Sequence, residues 1–410
     1  MPPDSPPLNV ERSATRTHVG HTMKVNEDAV LELSDFPLFA VADGTGGTYG
    51  STLAMDLLRR RRTKLRELSG SVTSRDQNTE SRLSVTAFFD LTFNEASRSI
   101  FKSKEAFGSR QVATTLVAAL VVDRFCYIAH VGNSRAYLYR DHALTCVTID
   151  HTLAMAQRRM GEITEEEYKT SPFRKALTQA VGLTPQVDVD VAEVRLRPND
   201  RVLLCTDGLT HLVDEATIAD LMALDDADVA VDKLIQRSLD GGGTDNVSVS
   251  LLHIGGESTG THADISTELG RIFLFQTLSR PERFFVAPYL AEHTFEVGEA
   301  ICKEGDIGNA AFMIESGEVQ VTRDGTVLTS LGAGANFGEL ALARKGRRTA
   351  TVTATKRTHC YILSRDRFRE LVHRRPELGI RMLLPLLDAL GERLDDLSER
   401  VGTMDKQTRS

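Results

Sequence analysis

The sequence predicts an α+β protein of two or three domains, and three observations support that fold class. The chain has 410 residues, whereas a single domain usually has about 100–200. From about Thr17 to Ile254, short apolar runs alternate with turn residues and helical patches. From Leu269 onward, short alternating segments with glycine turns indicate a compact β structure, which is followed by a helix.

The chain can be divided in order from these patterns. Residues 1–14 are expected to be a flexible lead, and residues 15–254 to form the first domain. Four apolar runs in that domain, each beside an aspartate or glycine, are predicted to be strands: Leu38–Ala42, Phe125–Val131, Val202–Thr206 and Val247–Leu252. Residues 255–268 are small, polar and aperiodic, which is typical of a linker. A second domain is expected over 269–403, with a tail over 404–410.

Composition excludes several classes of protein. Lysine and arginine number 49 against 57 aspartate and glutamate, a net charge of −8, so nucleic acid is not expected to be a main partner. The longest apolar stretch, Leu116–Val122, is too short to span a bilayer, and the first residues do not resemble a signal peptide. The five cysteines are scattered, which is typical of a reducing cytoplasm. We therefore expect a cytoplasmic protein that does not bind membranes.

The last segment of the second domain has a helical heptad pattern. Apolar residues recur at alternating steps of three and four: Ile380, Leu383, Leu387, Leu390, Leu394, Leu397 and Val401. Such a stripe can pack against its own domain or form a coiled coil with a second copy. Because the stripe is narrow and its flanks are charged, we favour a homodimer formed through this C-terminal helix.

Acidic residues recur beside the predicted strands of the first domain. They lie in Asn26-Glu27-Asp28, Ala42-Asp43-Gly44, Thr206-Asp207-Gly208 and Thr244-Asp245-Asn246. Hard cations such as Mg²⁺ or Mn²⁺ prefer carboxylate, carbonyl and water oxygens, and a following glycine allows close backbone approach. One Asp-Gly pair is usually only a turn. Four such sites in one domain favour a metal centre, although spacing alone leaves the choice open.

Eight segments of this domain together resemble the metal-dependent Ser/Thr protein phosphatases of type 2C. They are KVNEDAV, FAVADGTGG, ATTLVAAL, AHVGNSRAYLYR, TIDHTLA, ALTQAVG, LLCTDGL and GGTDNVSVSLL, in the family's order over most of residues 15–254. The resemblance implies a sandwich of two antiparallel sheets flanked by helices. It also implies that Asp43, Asp207 and Asp245 hold one metal ion. Glu27, Asp43 and the Gly44 carbonyl would hold a second, with Asp28 nearby through water.

The resemblance implies a reaction as well. Two Mn²⁺ or Mg²⁺ ions about 4 Å apart can share a hydroxide that attacks phosphorus in line, so no covalent phosphoenzyme is needed. The substrate would be phosphoserine or phosphothreonine in a protein. The stretch Ala154–Lys175 would be a mobile flap beside the cleft and a substrate contact.

Departures from the family pattern affect the expected activity. Met23 stands where the family usually has a phosphate-binding arginine, and the adjacent Lys24 is the candidate substitute, although it lacks a bidentate fork. Asn133 replaces an aspartate that helps to bind a third metal, and Thr45 replaces a histidine of some members. We therefore expect a slow or conditionally active phosphatase; the alternative is a pseudophosphatase that senses a ligand and binds phosphoproteins.

The second domain contains a candidate phosphate pocket. Phe337-Gly338-Glu339-Leu340-Ala341-Leu342 is followed by Arg347-Arg348-Thr349-Ala350. Exposed backbone N–H groups beside an arginine suit a phosphate diester, and a nearby glutamate can accept a hydrogen bond from a ribose hydroxyl. On its own, this pattern would be better explained by an ordinary glycine turn with two surface arginines.

Residues about 275–401 as a whole resemble cyclic nucleotide-binding domains, which are β-rolls with a long C-terminal helix. The resemblance implies that Arg348 pairs with the cyclic phosphate and Glu339 with the 2′-hydroxyl. The pocket would be completed by the turn and its flanks: Gly338, Leu340, Ala341, Thr349 and Ala350. The ligand would be cAMP or cGMP, with cAMP favoured. The fusion predicts a phosphatase that is regulated by a cyclic nucleotide.

Overall fold

The computed structural model of the chain describes residues 8–33, 36–69, 79–103, 111–256, 265–385 and 387. The chain forms two compact units that divide between residues 262 and 263. This division falls inside the predicted linker. No helix of the described ranges is both long and apolar enough to cross a bilayer.

The first unit contains two five-stranded antiparallel sheets. Its strands are β1 Asn9–His18, β2 Ala29–Glu32, β3 Leu38–Ala42, β4 Gly44–Thr45, β5 Ala113–Thr114, β6 Leu116–Val122, β7 Phe125–Val131, β8 Arg135–Arg140, β9 Ala143–Cys146, β10 Asp190–Arg195, β11 Arg201–Cys205 and β12 Val247–Gly255. One sheet has the order β1-β12-β11-β8-β9, and the other β10-β7-β6-β3-β2. Strands β4 and β5 form a separate short pair.

Helices of the first unit lie on and beside the two sheets. They are α1 Tyr49–Arg60, α2 Arg62–Ser69, α3 Thr79–Ser103, α4 Leu153–Met160, α5 Glu165–Thr170, α6 Asp207–Thr210, α7 Glu215–Met222 and α8 Ala227–Asp240. One core lies between the second sheet and α1–α3, and another between the first sheet and α6–α8. Strands β11 and β12 contact β3 of the facing sheet. The predicted two-sheet sandwich flanked by helices is therefore confirmed.

Two predicted boundaries differ from the structure. Strand β1 begins at Asn9, inside the predicted lead, and pairs with β12 along its whole length. It lies at the edge of its sheet, and its exposed face carries polar residues. The sequence of this strand therefore has no continuous apolar run by which it could be predicted. Helix α9, Ile265–Gly270, occupies the end of the predicted linker because Ile265 and Leu269 are buried despite their polar neighbours.

The second unit is built mainly of short antiparallel strands. They are β13 Ala291–Phe295, β14 Ala300–Cys302, β15 Ile307–Gly308, β16 Ala310–Ser316, β17 Glu318–Arg323, β18 Thr326–Gly332, β19 Asn336–Phe337, β20 Gly346–Arg347, β21 Thr351–Ala354 and β22 Thr358–Ser364. Two four-stranded sheets, β13-β22-β16-β19 and β14-β21-β17-β18, enclose one apolar core. The predicted β-roll is confirmed.

Helices surround this roll. They are α9, α10 Arg280–Val286, α11 Leu340–Ala343 and α12 Arg365–Arg374, followed by helical residues 376–385. Arg381 of the last segment forms an ion pair with the buried Glu282 at 2.7 Å. Ile380, Leu384 and Leu387 are more than half exposed, whereas Leu383, predicted to belong to the heptad stripe, is half-buried. The stripe from Leu390 onward lies outside the described residues.

Candidate functional site

Four aspartates of the first unit meet at one edge of the sandwich. Asp28 precedes β2, Asp43 follows β3, Asp207 opens α6 directly after β11, and Asp245 precedes β12. Each of the two facing sheets therefore contributes strand ends to the same cleft. The charges of Asp207 and Asp245 act on both Asp28 and Asp43, so the four carboxylates form one electrostatic group. We call this group the aspartate cluster.

Asp28 is held at the base of the cluster. Its Oδ2 accepts hydrogen bonds from Ser248 Oγ at 2.7 Å and from Thr206 Oγ1 at 3.0 Å. Burial raises the pKa of Asp28 to about 7, and the charges of Asp207 and Asp245 add to this effect, against the two hydrogen bonds. The carboxyl group is thus fixed in place but expensive to ionise without a cation nearby.

Asp43 and Asp207 are crowded in the same way. Burial, followed by the charges of Asp207, Asp28 and Asp245, raises the pKa of Asp43 well above its ordinary value. Asp207 Oδ2 accepts a hydrogen bond from the buried Asn133 Nδ2 at 2.9 Å. Asn133, which the sequence marks only as the loss of a third-metal ligand, therefore orients one of the cluster carboxylates.

Two oxygens of the cluster lack the partners that buried carboxylates require. Asp28 Oδ1 and Asp207 Oδ1 are buried and have no hydrogen-bond partner within the part of the chain that the structure describes. A buried, unpaired carboxylate oxygen costs several kcal/mol by order of magnitude. Hard divalent cations take oxygen ligands of this type. The residues present therefore fit a site for Mn²⁺ or Mg²⁺.

Glu27 and Gly44, also predicted to be ligands, lie against each other through their backbones. A Cβ added to Gly44 would be 2.4 Å from the carbonyl oxygen of Glu27, so only glycine allows this approach. Ser51 Oγ donates to the same Glu27 oxygen at 2.5 Å. The Glu27 N–H donates to Asn246 Oδ1 at 2.8 Å. The structure thus brings Glu27 to the cluster edge and joins it to the residue after Asp245.

Sequence reasoning missed four side chains that position the cluster. Thr206, Ser248 and Asn133 bind cluster carboxylates directly, as described above. Asn246 Nδ2 also donates to the carbonyl oxygens of Val19 and Val25, and so ties the 19–27 loop to the site. Thr206 and Asn246 stand next to an aspartate in the sequence, in TDG and TDN, whereas Asn133 and Ser248 do not.

A second buried cluster lies beside Asn133 and was not predicted. It consists of His130, His151 and Asp190, whose ligand-type atoms lie within 4.8 Å of one another. Gly132 N–H donates to His151 Nδ1 at 3.2 Å, and His151 Nε2 lies 3.3 Å from Asp190 Oδ2. His130 Nε2 lies 2.9 Å from the carbonyl oxygen of Ile149. These contacts fasten the loop that carries Asn133, which gives the cluster a structural role.

The predicted flap consists of α4, α5 and a 3₁₀ turn, Pro172–Lys175. Its Tyr168 is buried and donates to Asp150 Oδ2 at 3.2 Å, beside the Arg135–Asp150 ion pair of 2.7 Å. At the end of the flap, Lys175 Nζ lies 3.8 Å from Asp245 Oδ2. By contrast, Lys24 is exposed and forms no ion pair with a cluster carboxylate among the described residues.

The second unit has a cavity of about 170 Å³ at the predicted phosphate turn. Of the seven predicted residues, six line it, namely Gly338, Glu339, Leu340, Ala341, Arg348 and Thr349, whereas Ala350 does not. Arg348 Nη2 donates to the carbonyl oxygen of Ala310 at 2.8 Å, and its guanidinium lies 5.5 Å from the centre of the Phe312 ring. Gly338 has φ +72°, and a Cβ there would be 2.3 Å from Arg348 Nη1.

The buried Arg365, at the start of α12, connects this cavity to the C-terminal helices. Its guanidinium donates to the carbonyl oxygens of Ala341 at 2.5 Å, Gly308 at 2.7 Å and Arg344 at 2.8 Å. All three acceptors belong to residues that line the cavity. A change in the shape of the cavity therefore acts directly on the first residue of α12.

Comparison with known families agrees with both halves of this description. Residues 17–238 match the family model for protein phosphatase 2C. Residues 292–375 match the model for the cyclic nucleotide-binding domain. The first match covers the aspartate cluster except Asp245, and the second covers the whole cavity.

Individual relatives are similar over the first unit. The serine/threonine phosphatase stp of Listeria monocytogenes is 31% identical over 243 residues, which is 58% of this chain and 93% of that protein. PstP of Mycobacterium tuberculosis is 31% identical over 58% of this chain and 44% of its own. Among solved structures, serine/threonine phosphatase Stp1 from Staphylococcus aureus has a TM-score of 0.53 and 27% identity, covering 62% of this chain and 98% of that one.

Replacing one carboxylate should reveal the repulsion within the cluster. We expect Asp43→Asn to raise the unfolding temperature of the first unit without metal by about 2–4 °C, because one like charge is removed. The same variant should lose most of the stabilisation by Mn²⁺, which is about 2.7 kcal/mol at a hundredfold excess over Kd for an intact site. Calorimetry with EDTA and with Mn²⁺ measures both.

Asp220→Asn, on the exposed face of α7, is the matched control and should change neither quantity. A lower metal-free unfolding temperature for Asp43→Asn, or an undiminished response to Mn²⁺, would contradict the arrangement described above.

Proposed function

Because the chain belongs to the protein phosphatase 2C family, we propose that its first unit hydrolyses phosphoserine and phosphothreonine in proteins. The observation that carries the proposal is the aspartate cluster, with two buried carboxylate oxygens that lack partners in the described chain. A pseudophosphatase has no need to maintain such a costly group of charges. Relatives named as serine/threonine phosphatases over the same region support the proposal.

We propose the ligand sets that the family resemblance implies. Asp43, Asp207 and Asp245 would hold one Mn²⁺ or Mg²⁺ ion. Glu27, Asp43 and the Gly44 carbonyl would hold a second, with Asp28 nearby through water. When bound, the two ions offset charge on the phosphoryl group and lower the pKa of a water nucleophile.

The chain's own residues then keep this site in order. Asn133 holds Asp207 through one oxygen and leaves the other available. Ser248 and Thr206 do the same for Asp28. Neutral donors therefore orient Asp207 and Asp28. A lysine or arginine bound to the same oxygen would instead neutralise the negative charge of the carboxylate.

Turnover with and without metal tests this proposal. We expect Mn²⁺-dependent release of phosphate from a phosphothreonine peptide, and a loss of at least about a hundredfold in Asp207→Ala, because a direct ligand is removed. Asp220→Ala, at an exposed position of α7, should behave as wild type. Absence of metal-dependent turnover by the wild type would favour the pseudophosphatase.

We further propose that the second unit binds a cyclic nucleotide, with cAMP favoured over cGMP. Arg348 would pair with the cyclic phosphate and Glu339 with the ribose 2′-hydroxyl. Backbone N–H groups near Ala341 and the Thr349 hydroxyl would complete the pocket, whereas Ala350, also predicted, lies outside the cavity lining. The cavity lined by Arg348 and Glu339 supports this assignment.

Regulation would follow from the link between the cavity and the C-terminal helices. A nucleotide that draws Arg348 away from the carbonyl oxygen of Ala310 would change the backbone near Gly308. The carbonyl oxygen of Gly308 accepts a hydrogen bond from Arg365. We propose that the nucleotide prefers one of two arrangements of the helices after β22, and so shifts their populations. That preference would alter the phosphatase rate.

Nucleotide binding and its effect can be measured together. We expect cAMP to change the phosphatase rate of the wild type, and Arg348→Ala to weaken cAMP binding about 100-fold, since a charge-assisted pair is lost. Lys345→Ala, an exposed neighbour outside the cavity lining, is the control. A rate that neither cAMP nor cGMP changes would refute regulation but not either domain assignment.

We also propose a homodimer through the C-terminal helix. The apolar stripe of Ile380, Leu384 and Leu387 is more than half exposed in the described helix, at steps of four and three residues. A second copy of the same stripe is the partner that such a repeat fits. Leu384 takes the place in the stripe that the heptad pattern gives to Leu383.

Sedimentation equilibrium tests the dimer. Leu384→Glu should convert the protein to a monomer, because it places a charge at the centre of the apolar stripe. Val327→Glu, which changes an equally exposed apolar residue on β18, should leave the mass unchanged. A wild type that is monomeric at tens of micromolar would disprove this interface.

The state of the cysteines indicates the cellular compartment in which the protein acts. All five cysteines are free thiols, and burial raises the pKa of Cys126, Cys146 and Cys205. Thiols in this state persist in a reducing cytoplasm. We therefore propose the cytoplasm as the site of action.

A further inference from the structure

The aspartate cluster needs a positive group for the substrate phosphate, and the expected positions do not supply one. The family's arginine is replaced by Met23, which is 39% exposed. Lys24 is exposed and pairs with none of the four aspartates within the described ranges. A phosphoserine carries about −1.5 to −2 charges at neutral pH, so a site without any cationic side chain would hold it poorly.

Lys175 places a cation at the cluster from a different element. Its Nζ lies 3.8 Å from Asp245 Oδ2. Among the residues that the structure describes, it is the one lysine or arginine that forms an ion pair with any of the four aspartates. The Asp245 side chain is 33% exposed, against 10% for Asp207. The ammonium group therefore lies on the open side of the cluster, where a substrate must enter.

The backbone around Lys175 is fixed while its side chain remains adaptable. The N–H of Leu153 donates to the carbonyl oxygen of Ala176 at 2.8 Å, and the N–H of Thr178 donates to that of His151 at 2.9 Å. These bonds fasten the end of the flap to the loop that begins it. The Lys175 side chain is 59% exposed, and its four-carbon stem allows it to exchange one anionic partner for another.

We propose that Lys175 is a substrate-binding residue that contacts the phosphate oxygens and takes over the role of the missing arginine at position 23. The proposal rests on the phosphatase function proposed above. An ammonium group gives one strong charge-assisted contact without the fork of a guanidinium. Its placement on the flap also makes phosphate affinity depend on the flap that Tyr168 fastens.

The alternative is that Lys175 is only a counter-ion of Asp245. The two roles predict different effects of removing the Lys175 side chain on the binding of phosphate and of Mn²⁺. A phosphate contact controls the affinity for phosphate in the metal-loaded protein. A counter-ion competes with metal, so its removal would tighten Mn²⁺ binding and leave phosphate affinity unchanged.

The test compares Lys175→Ala, Lys175→Arg and the control Lys169→Ala, an exposed lysine of the same flap. In the full-length protein saturated with Mn²⁺, we expect Lys175→Ala to raise both KM for a phosphothreonine peptide and Ki for inorganic phosphate about tenfold, with kcat changed much less. Lys175→Arg should restore both constants. Lys169→Ala should match the wild type.

Calorimetric titration with inorganic phosphate measures the same affinity without turnover, so it also separates the two proposals. Should the wild type hydrolyse nothing, the proposed function fails, and the phosphate titration still decides the role of Lys175. We expect Met23→Arg to recover phosphate affinity in the Lys175→Ala background. Unchanged phosphate affinity in Lys175→Ala, tighter Mn²⁺ binding alone, or a fall in kcat at constant KM would each overturn the proposal.

Discussion

Mutual repulsion among four carboxylates in one cleft is the constraint on which the first unit depends. Asp28, Asp43, Asp207 and Asp245 come from strand ends of two facing sheets, so the sandwich itself brings them together. Neutral donors satisfy one oxygen of Asp28 and one of Asp207, and the second oxygen of each has no partner in the described chain. Cations bound in the cluster would offset this repulsion, which relates the fold to metal-dependent chemistry.

Arginine side chains organise the cavity of the second unit, as aspartates form the cluster of the first. Arg348 is held by the backbone carbonyl groups of Gly338 and Ala310. Arg365 holds three carbonyl groups of residues that line the cavity. A guanidinium can exchange a carbonyl for a phosphate at modest cost, because both are hydrogen-bond acceptors. A ligand shifts the helices only by the difference in its affinity for their two arrangements. The hydrogen bonds of Arg365 join the cavity lining to the first residue of α12.

Sequence patterns predicted the parts of the fold in which burial is continuous. Strands β3 and β7 match their predicted limits because both faces of each are covered, which gives uninterrupted apolar runs. Edge strand β1 and helix α9 were missed because few of their residues are buried apolar ones. In the site, motifs identified the carboxylates. They placed Lys175 only at the end of a predicted flap and did not bring it to Asp245, which lies far from it in the chain.

The central claim is that the aspartate cluster holds two hard cations, and anomalous diffraction from a crystal grown with Mn²⁺ tests it most directly. The account predicts two manganese peaks about 4 Å apart, with Asp43 in contact with both. A cleft with no manganese, or one whose carboxylates stand too far apart to bridge two ions, would contradict it.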